Sequence, residues 1–209
     1  MTRKLTLFLI LFTVLLLDQA LKFWVKTHMH YGEEFGILGA DRALIHFVEN
    51  NGMAFGLSFG GRVGKLVLSL FRIVAVVLLA YYLAELLRQR ASRLLVAAFA
   101  FIEAGALGNI IDSVFYGVLF SQSTPHGPVA EFLPAGGGYE SLFFGRVVDM
   151  FYFPLVYGVY PQWFPLIGGN PFLFFRPIFN VADVSITVGV VLLLAYYYRK
   201  GAGSKQVRE

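Results

Sequence analysis

Four stretches of the 209-residue chain, Leu5–Val25, Gly64–Leu87, Leu94–Tyr116 and Ile178–Tyr198, are almost continuously apolar. A helix needs about 20 such residues to cross roughly 30 Å of hydrocarbon, so each is long enough to span a bilayer. Lipid cannot satisfy backbone polar groups, which makes helices of these segments. The fold class implied is an all-α membrane protein of four transmembrane helices. Long loops over about 26–63 and 117–177 join the spans, with a small β-like segment in the second loop, and residues 1–209 read as one domain. Charged residues make up only 14% of the chain, about half the usual share, which excludes an ordinary water-soluble globule. The first span resembles a signal peptide in following Arg3 and Lys4. No small-x-small site comes after it, and the run continues through Asp18 and Lys22 to Trp24, so it reads as a retained helix.

Charge sets the expected orientation. Arg3 and Lys4 precede span one, Arg88, Arg90 and Arg93 fill the short second loop, and Arg199, Lys200, Lys205 and Arg208 follow span four. Positive charge stays on the cytoplasmic side, so both termini are expected inside and the two long loops outside. The same reading accounts for the net charge of +4 without nucleic acid, for which no basic and aromatic interleaving is present. All eight prolines lie between Pro125 and Pro177, among aromatics such as Tyr152, Tyr160, Trp163 and Phe164 that read as a headgroup-level belt. With no cysteine, thiolate chemistry and disulfides are excluded. His28 and His30 beside Glu33 and Glu34 fit no strong zinc spacing, so neither metal nor cofactor is expected.

An ionisable side chain inside a bilayer is expensive unless paired or hydrated, so such residues mark the place to look for function. At about 1.5 Å per residue, Asp18 and Lys22 lie roughly 20 and 26 Å into span one, and Asn109 and Asp112 about 22 and 27 Å into span three. Asn180 and Asp183 fall in the first turns of span four, so all six share one layer near the outer surface. Asp18 and Lys22 are four apart and able to pair, either as a structural tie or in contact with substrate. Arg72 and Glu103 both fall near the midplane and are expected to neutralise each other. Asn109-Ile-Ile-Asp112 and Asn180-Val-Ala-Asp183 each set an Asn and an Asp three apart on one helical face, where the amide orients the acid without adding charge. Gly105 and Gly108 allow close helix approach. Asp149 stands in an apolar, β-branched and aromatic segment where an acid is out of character. If it folds back onto Asp183, the two form a carboxylate dyad that shares a proton, one member a general base for water and the other an acid for a carbonyl oxygen. A proton- or cation-coupled transporter subunit using intramembrane carboxylates is the competing reading.

Five motifs in chain order carry a resemblance: Leu17-Asp-Gln-Ala-Leu-Lys22, Asn50-Asn-Gly-Met-Ala-Phe-Gly56, Gly105-Ala-Leu-Gly-Asn-Ile-Ile-Asp112, Val147-Val-Asp149 and Phe179-Asn-Val-Ala-Asp183. Together they resemble the lipoprotein signal peptidases, or signal peptidase II. The resemblance implies an aspartyl endopeptidase of the bacterial inner membrane. It removes signal peptides from prolipoproteins by cutting before a diacylglyceryl-modified cysteine, with its site toward the periplasmic face. It implies that Asp149 and Asp183 are the catalytic dyad, that Asn109, Asp112 and Asn180 shape their surroundings, and that Asp18, Lys22, Asn50 and Gly105 line or brace the site. A monomer among membrane lipids and inhibition by globomycin-type cyclic peptides are expected on the same ground. Two departures stand out. Ser113 follows Asp112 where the family usually has Arg, leaving Arg146 and Arg176 as candidates for that charge. The outer loop is also extended on both sides of Asp149, as an expected lid.

Overall fold

A computed structural model describes residues 2–51, 61–154, 156–174 and 177–206. Four helices are long and apolar enough to cross a membrane. They are α1 (Arg3–His28), α2 (Gly61–Arg88), α3 (Arg93–Ile111) and α4 (Val181–Gln206). The third continues through a π-turn at Asp112–Tyr116 and ends at Leu119. α3 is the central helix and packs against the other three. Glycine makes this approach close. A Cβ on Gly105 would lie 2.2 Å from the Ala182 carbonyl oxygen, and one on Gly108 would lie 2.6 Å from an Asp18 carboxylate oxygen. The outward faces carry Phe8, Phe12 and Leu16 on α1, Phe71 and Leu78 on α2 and Leu194 on α4, all exposed, as a lipid-facing surface requires. Arg3 donates to the Ala91 carbonyl at 2.6 Å and so ties the amino terminus to the α2–α3 turn.

At the opposite end, four antiparallel strands form one sheet in the order β1 (Glu34–Gly36), β2 (Leu44–Asn50), β3 (Val147–Tyr152) and β6 (Ile178–Phe179). This is more β-structure than the small segment expected. β3 is covered on both faces: Val148 and Met150 pack with Val25, Met29, Phe47 and Phe120, and strand alternation turns Asp149 the other way. Span four starts three residues later than expected. Ile178 and Phe179 pair with Tyr152 and Phe151, so these β-formers finish the sheet before the helix starts.

The two extensions beside Asp149 differ. Residues 120–146 run back along the end of α3, with Phe143 bonded to Val114 and Gly145 to Ser113 through the backbone. A Cβ at Gly145 would come within 2.0 Å of the Asp112 carbonyl oxygen, so this segment is packed in as a brace, not standing over the site as a lid. The second extension is a hairpin of β4 (Val156–Val159) and β5 (Pro171–Phe174), and its tip exposes Trp163 and Leu166.

Candidate active site

Asp149 and Asp183 come from different kinds of backbone. Asp149 lies opposite Val48 within the buried strand β3. Asp183 is the third residue of α4, and Asn180 is the residue that caps it. The Asp183 N–H donates to Asn180 Oδ1 at 3.0 Å, and the Asn180 N–H donates to Asp183 Oδ2 at 3.2 Å. This reciprocal pattern is a capping box. The spacing of three therefore reports a helix start for Asn180 and Asp183, in place of the shared helical face expected.

The Asn180 amide nitrogen then joins the two acids. It lies 2.7 Å from Asp149 Oδ1, 3.1 Å from Asn109 Oδ1 and 3.2 Å from the Val148 carbonyl oxygen. Asn109 in turn donates to Asp183 Oδ1 at 2.9 Å. Asn50 donates to the other oxygen of Asp149. Burial first, and the negative charge of Asp183 second, push the Asp149 carboxyl up to about 7, against the pull of Lys22 and the two asparagine amides.

Behind the acids, Lys22 is fully buried with three acceptors for its three donors: Asp18 at 2.8 Å, Asp112 at 2.9 Å and Asn109 at 3.0 Å. Each of these two carboxylates also holds a backbone N–H one residue before an aspartate of the pair. Asp18 accepts from Ala182 at 2.9 Å, and Asp112 accepts from Val148 at 3.2 Å. The Ala182 N–H is one of the donors a helix start leaves unpaired, so Asp18 both caps α4 and complements its dipole. Asp18, Lys22, Asn50, Asn109, Asp112 and Asn180 thus lie in one cluster around Asp149 and Asp183, and Gly105 admits the first turn of α4 to α3.

Two groups here were not anticipated. Gln19 donates to Asp18 at 3.1 Å and to Asp112 at 3.0 Å, and accepts from Tyr116 at 3.2 Å. An amide inside an apolar run was the available signal. The second is a buried knot in which Lys26 pairs with Glu49 and bonds Ser123 at 2.9 Å, while Arg146 stands 3.6 Å from Glu49. The Tyr139 ring lies under both cations. Arg146 is therefore engaged with Glu49 and does not take the place of the Arg missing at Ser113, and Arg176 lies outside the described residues. Ser113 itself donates back to the Asn109 carbonyl oxygen at 2.9 Å.

The expected pairing of Arg72 with Glu103 does not form. Arg72 lies sixteen residues before the end of α2 and Asn109 sixteen after the start of α3, but Glu103 only ten. In antiparallel helices this offsets Arg72 from Glu103 by about 9 Å along the axis. Glu103 Oε2 is buried without a hydrogen-bond partner among the described residues. Arg72 and Asn109 also line a cavity of about 210 Å³ whose other walls, including Val76, Leu79, Ile102 and Ile186, are apolar.

Four membrane-length helices enclosing a buried carboxylate centre at one end define a class, the polytopic membrane enzymes. Two solved bacterial membrane enzymes share the fold. One has a TM-score of 0.59 at 24% identity over 95% of this chain and 90% of its own, and the other 0.58 at 26% identity over 92% of each. The family model for signal peptidase (SPase) II matches residues 10–199. A lipoprotein signal peptidase of Porphyromonas gingivalis is 53% identical over 89% of this chain and 80% of its own length. Another, of Amoebophilus asiaticus, is 34% identical over 93% and 78%. The chain belongs to the signal peptidase II family and is a peptidase.

Proposed function

We propose that Asp149 and Asp183 are the catalytic pair of a peptidase that cuts bacterial prolipoproteins on the amino side of a diacylglyceryl-modified cysteine. The observation that carries this is the amide bridge through Asn180 and Asn109, which holds two acids from a strand and a helix in one buried cluster. Two carboxyl groups so linked share one proton readily. Asp149, the acid raised to about 7, holds the proton. Asp183, at the positive end of α4, is the base. Asp183 takes a proton from water as the water oxygen attacks the carbonyl carbon of the residue before the cysteine, and Asp149 gives its proton to the carbonyl oxygen. On collapse one hydroxyl of the intermediate returns a proton to Asp149 as the carbonyl re-forms, the C–N bond breaks and the proton on Asp183 passes to the leaving cysteine nitrogen.

Such a substrate lies with its signal helix and its acyl chains in the bilayer, so it enters from the side. The apolar cavity between α2, α3 and α4, with Asn109 on its wall, supports lateral entry. Basic residues at the end where Arg3 meets the α2–α3 turn support a cytoplasmic location for both termini, with the site toward the periplasmic face of the inner membrane. The working unit is a monomer in lipid, open to globomycin-type cyclic peptides.

The test is cleavage of a prolipoprotein, with and without its diacylglyceryl group, by purified protein in detergent. Release of the signal peptide from the lipidated form alone, unaffected by a chelator, is the expected result. Equal cleavage of both forms, or loss of activity with chelator, contradicts the proposal.

A further inference from the structure

The start of α2 carries the cations Arg62 and Lys65 with no acid in its first turn, at the positive end of the helix dipole and opposite the basic termini. Both cations are turned to the segment that leads into β3. Arg62 pairs with Glu140 at 3.2 Å, bonds Ser141 at 2.9 Å and lies over the Phe144 ring. Lys65 donates to the Phe144 carbonyl oxygen at 2.7 Å, and Ser69, one turn further along α2, donates to the Phe143 carbonyl oxygen at 3.1 Å. Phe143 has a φ of 70°, which a side chain of this size rarely adopts, and its N–H is held by the Val114 carbonyl oxygen. Backbone strain fixed in this way from two helices, shortly before Asp149, is of the kind kept at functional sites.

Lys65 reaches further than its neighbours. Its ammonium also donates to Asn51 Oδ1 at 3.0 Å. Asn50 and Val147 form the last rung between β2 and β3, so Lys65 bridges the two chains just beyond that rung. Asn50 is the residue whose amide donates to Asp149.

We infer that Lys65 is a positioning residue of the active site: it fastens the end of the β2–β3 pair to α2 and so keeps the Asn50 amide on Asp149. This rests on the dyad reading above. One ammonium with three donors meets a side-chain and a backbone acceptor at once. The Asn50 amide favours the charged form of Asp149, as do Lys22 and Asn180, while burial and Asp183 oppose it. The other charged groups around the cluster are Asp112 on α3, which holds the Val148 N–H, and Arg72 on α2, on the cavity wall beside Asn109. When Asn50 loosens, Asp149 keeps its proton to higher pH. Asp149 enters the reaction protonated, so the alkaline side of the activity profile then moves upward.

The experiment compares the pH dependence of kcat/KM for wild type, Lys65→Met, Lys65→Arg, Asn51→Ala, Asn50→Ala and the combination of Lys65→Met with Asn50→Ala. Each is purified in detergent and checked for folding by its melting curve. Lys65→Met is expected to move the alkaline limb upward by about half a pH unit, the effect of one weakened hydrogen bond to a carboxylate. Lys65→Arg keeps the donors and is expected to stay near wild type, and Asn51→Ala is expected to move the limb the same way by less. In the Asn50→Ala background, Lys65→Met is expected to move the limb no further, because both changes act through one hydrogen bond. A limb unmoved in folded Lys65→Met overturns the inference. So does an additive shift in the double variant, which makes Lys65 a distant charge and not a positioning group, and so does a Lys65→Arg limb that moves as far as that of Met. If Lys65→Met does not fold, Asn51→Ala decides: an upward limb supports the inference and an unmoved one overturns it. Asp149→Asn and Asp183→Asn run alongside: activity in either defeats the dyad itself, whereas inactive Asn variants with an unmoved Lys65→Met limb defeat only the role of Lys65.

Discussion

Asp149 and Asp183 make an instructive contrast. Asp183 has local support: it sits in the first turn of a helix, exchanges hydrogen bonds with its cap and faces the positive end of the α4 dipole. Asp149 has none. It lies in the buried part of strand β3, away from any helix end, and among the described residues its oxygens are met by side chains from Asn50 and Asn180. Two like carboxyl groups thereby acquire unlike surroundings, and burial raises the Asp149 carboxyl to about 7. What they share is their anchorage. Each is preceded by a residue whose N–H is held by a buried carboxylate, Ala182 by Asp18 and Val148 by Asp112, and both carboxylates are joined through Lys22.

The contrast breaks most completely when either acid is made neutral for good. Asp183→Asn and Asp149→Asn each remove a proton-transfer group with little change of volume, and cleavage is expected to fall by at least about a thousandfold in both. Retained folding is checked by melting curves.

Removing the shared anchor acts on both acids at once. Lys22→Met strands two buried carboxylates and is expected to destabilise the protein by about 3–5 kcal/mol, measured by unfolding in detergent. A Lys22 variant as stable as wild type contradicts the anchoring role.

The unlike proton affinities show in stability against pH. Asp149 has an ordinary value of 3.8 and a folded value of about 7, so the folded state keeps the proton that the unfolded state gives up. The stabilisation from this group is complete below about pH 4 and is lost as pH rises toward 7. Asn has no proton to lose. Asp149→Asn is therefore expected to lose less stability than wild type between pH 5 and pH 8, by about 2–3 kcal/mol, and to show a correspondingly smaller fall in Tm.

The amides give the smallest effect. Asn180→Ala removes the cap of α4 together with the contact to Asp149, at about 1–2 kcal/mol. Asn109→Ala removes only the contact to Asp183 and the acceptor for Lys22 and Asn180. The drop in kcat/KM is expected to be larger for Asn180→Ala, and the reverse order contradicts the view that Asn180 joins the two acids.

Much of this was legible in the chain because membrane length and intramembrane charge are strong signals. The four spans, the polar layer and the meeting of Asp18, Lys22, Asn109 and Asp112 all followed from apolar run lengths and a rise per residue. What was not legible depended on pairing. Ile178 and Phe179 are apolar enough to extend a span, and only their partners on β3 make them strand, which turned Asn180 from a face residue into a cap. Arg72 and Glu103 both counted as midplane residues, yet antiparallel helices set Arg72 level with Asn109. The Lys26–Glu49 pair was not legible because its burial comes from Ser123 and Tyr139, distant in the chain.

The central claim is that the pair holds one proton, on Asp149, with the charge on Asp183. Infrared difference titration of the carboxyl stretch, in wild type and both Asn variants, tests it most directly. The account predicts a protonated carboxyl component in wild type that disappears near pH 7, is missing from Asp149→Asn and titrates at lower pH in Asp183→Asn, over a background from other buried carboxyls such as Glu103 that all three proteins share. An Asp149→Asn spectrum that keeps the whole wild-type signal, or an Asp149 component already ionised near its ordinary value in wild type, contradicts it.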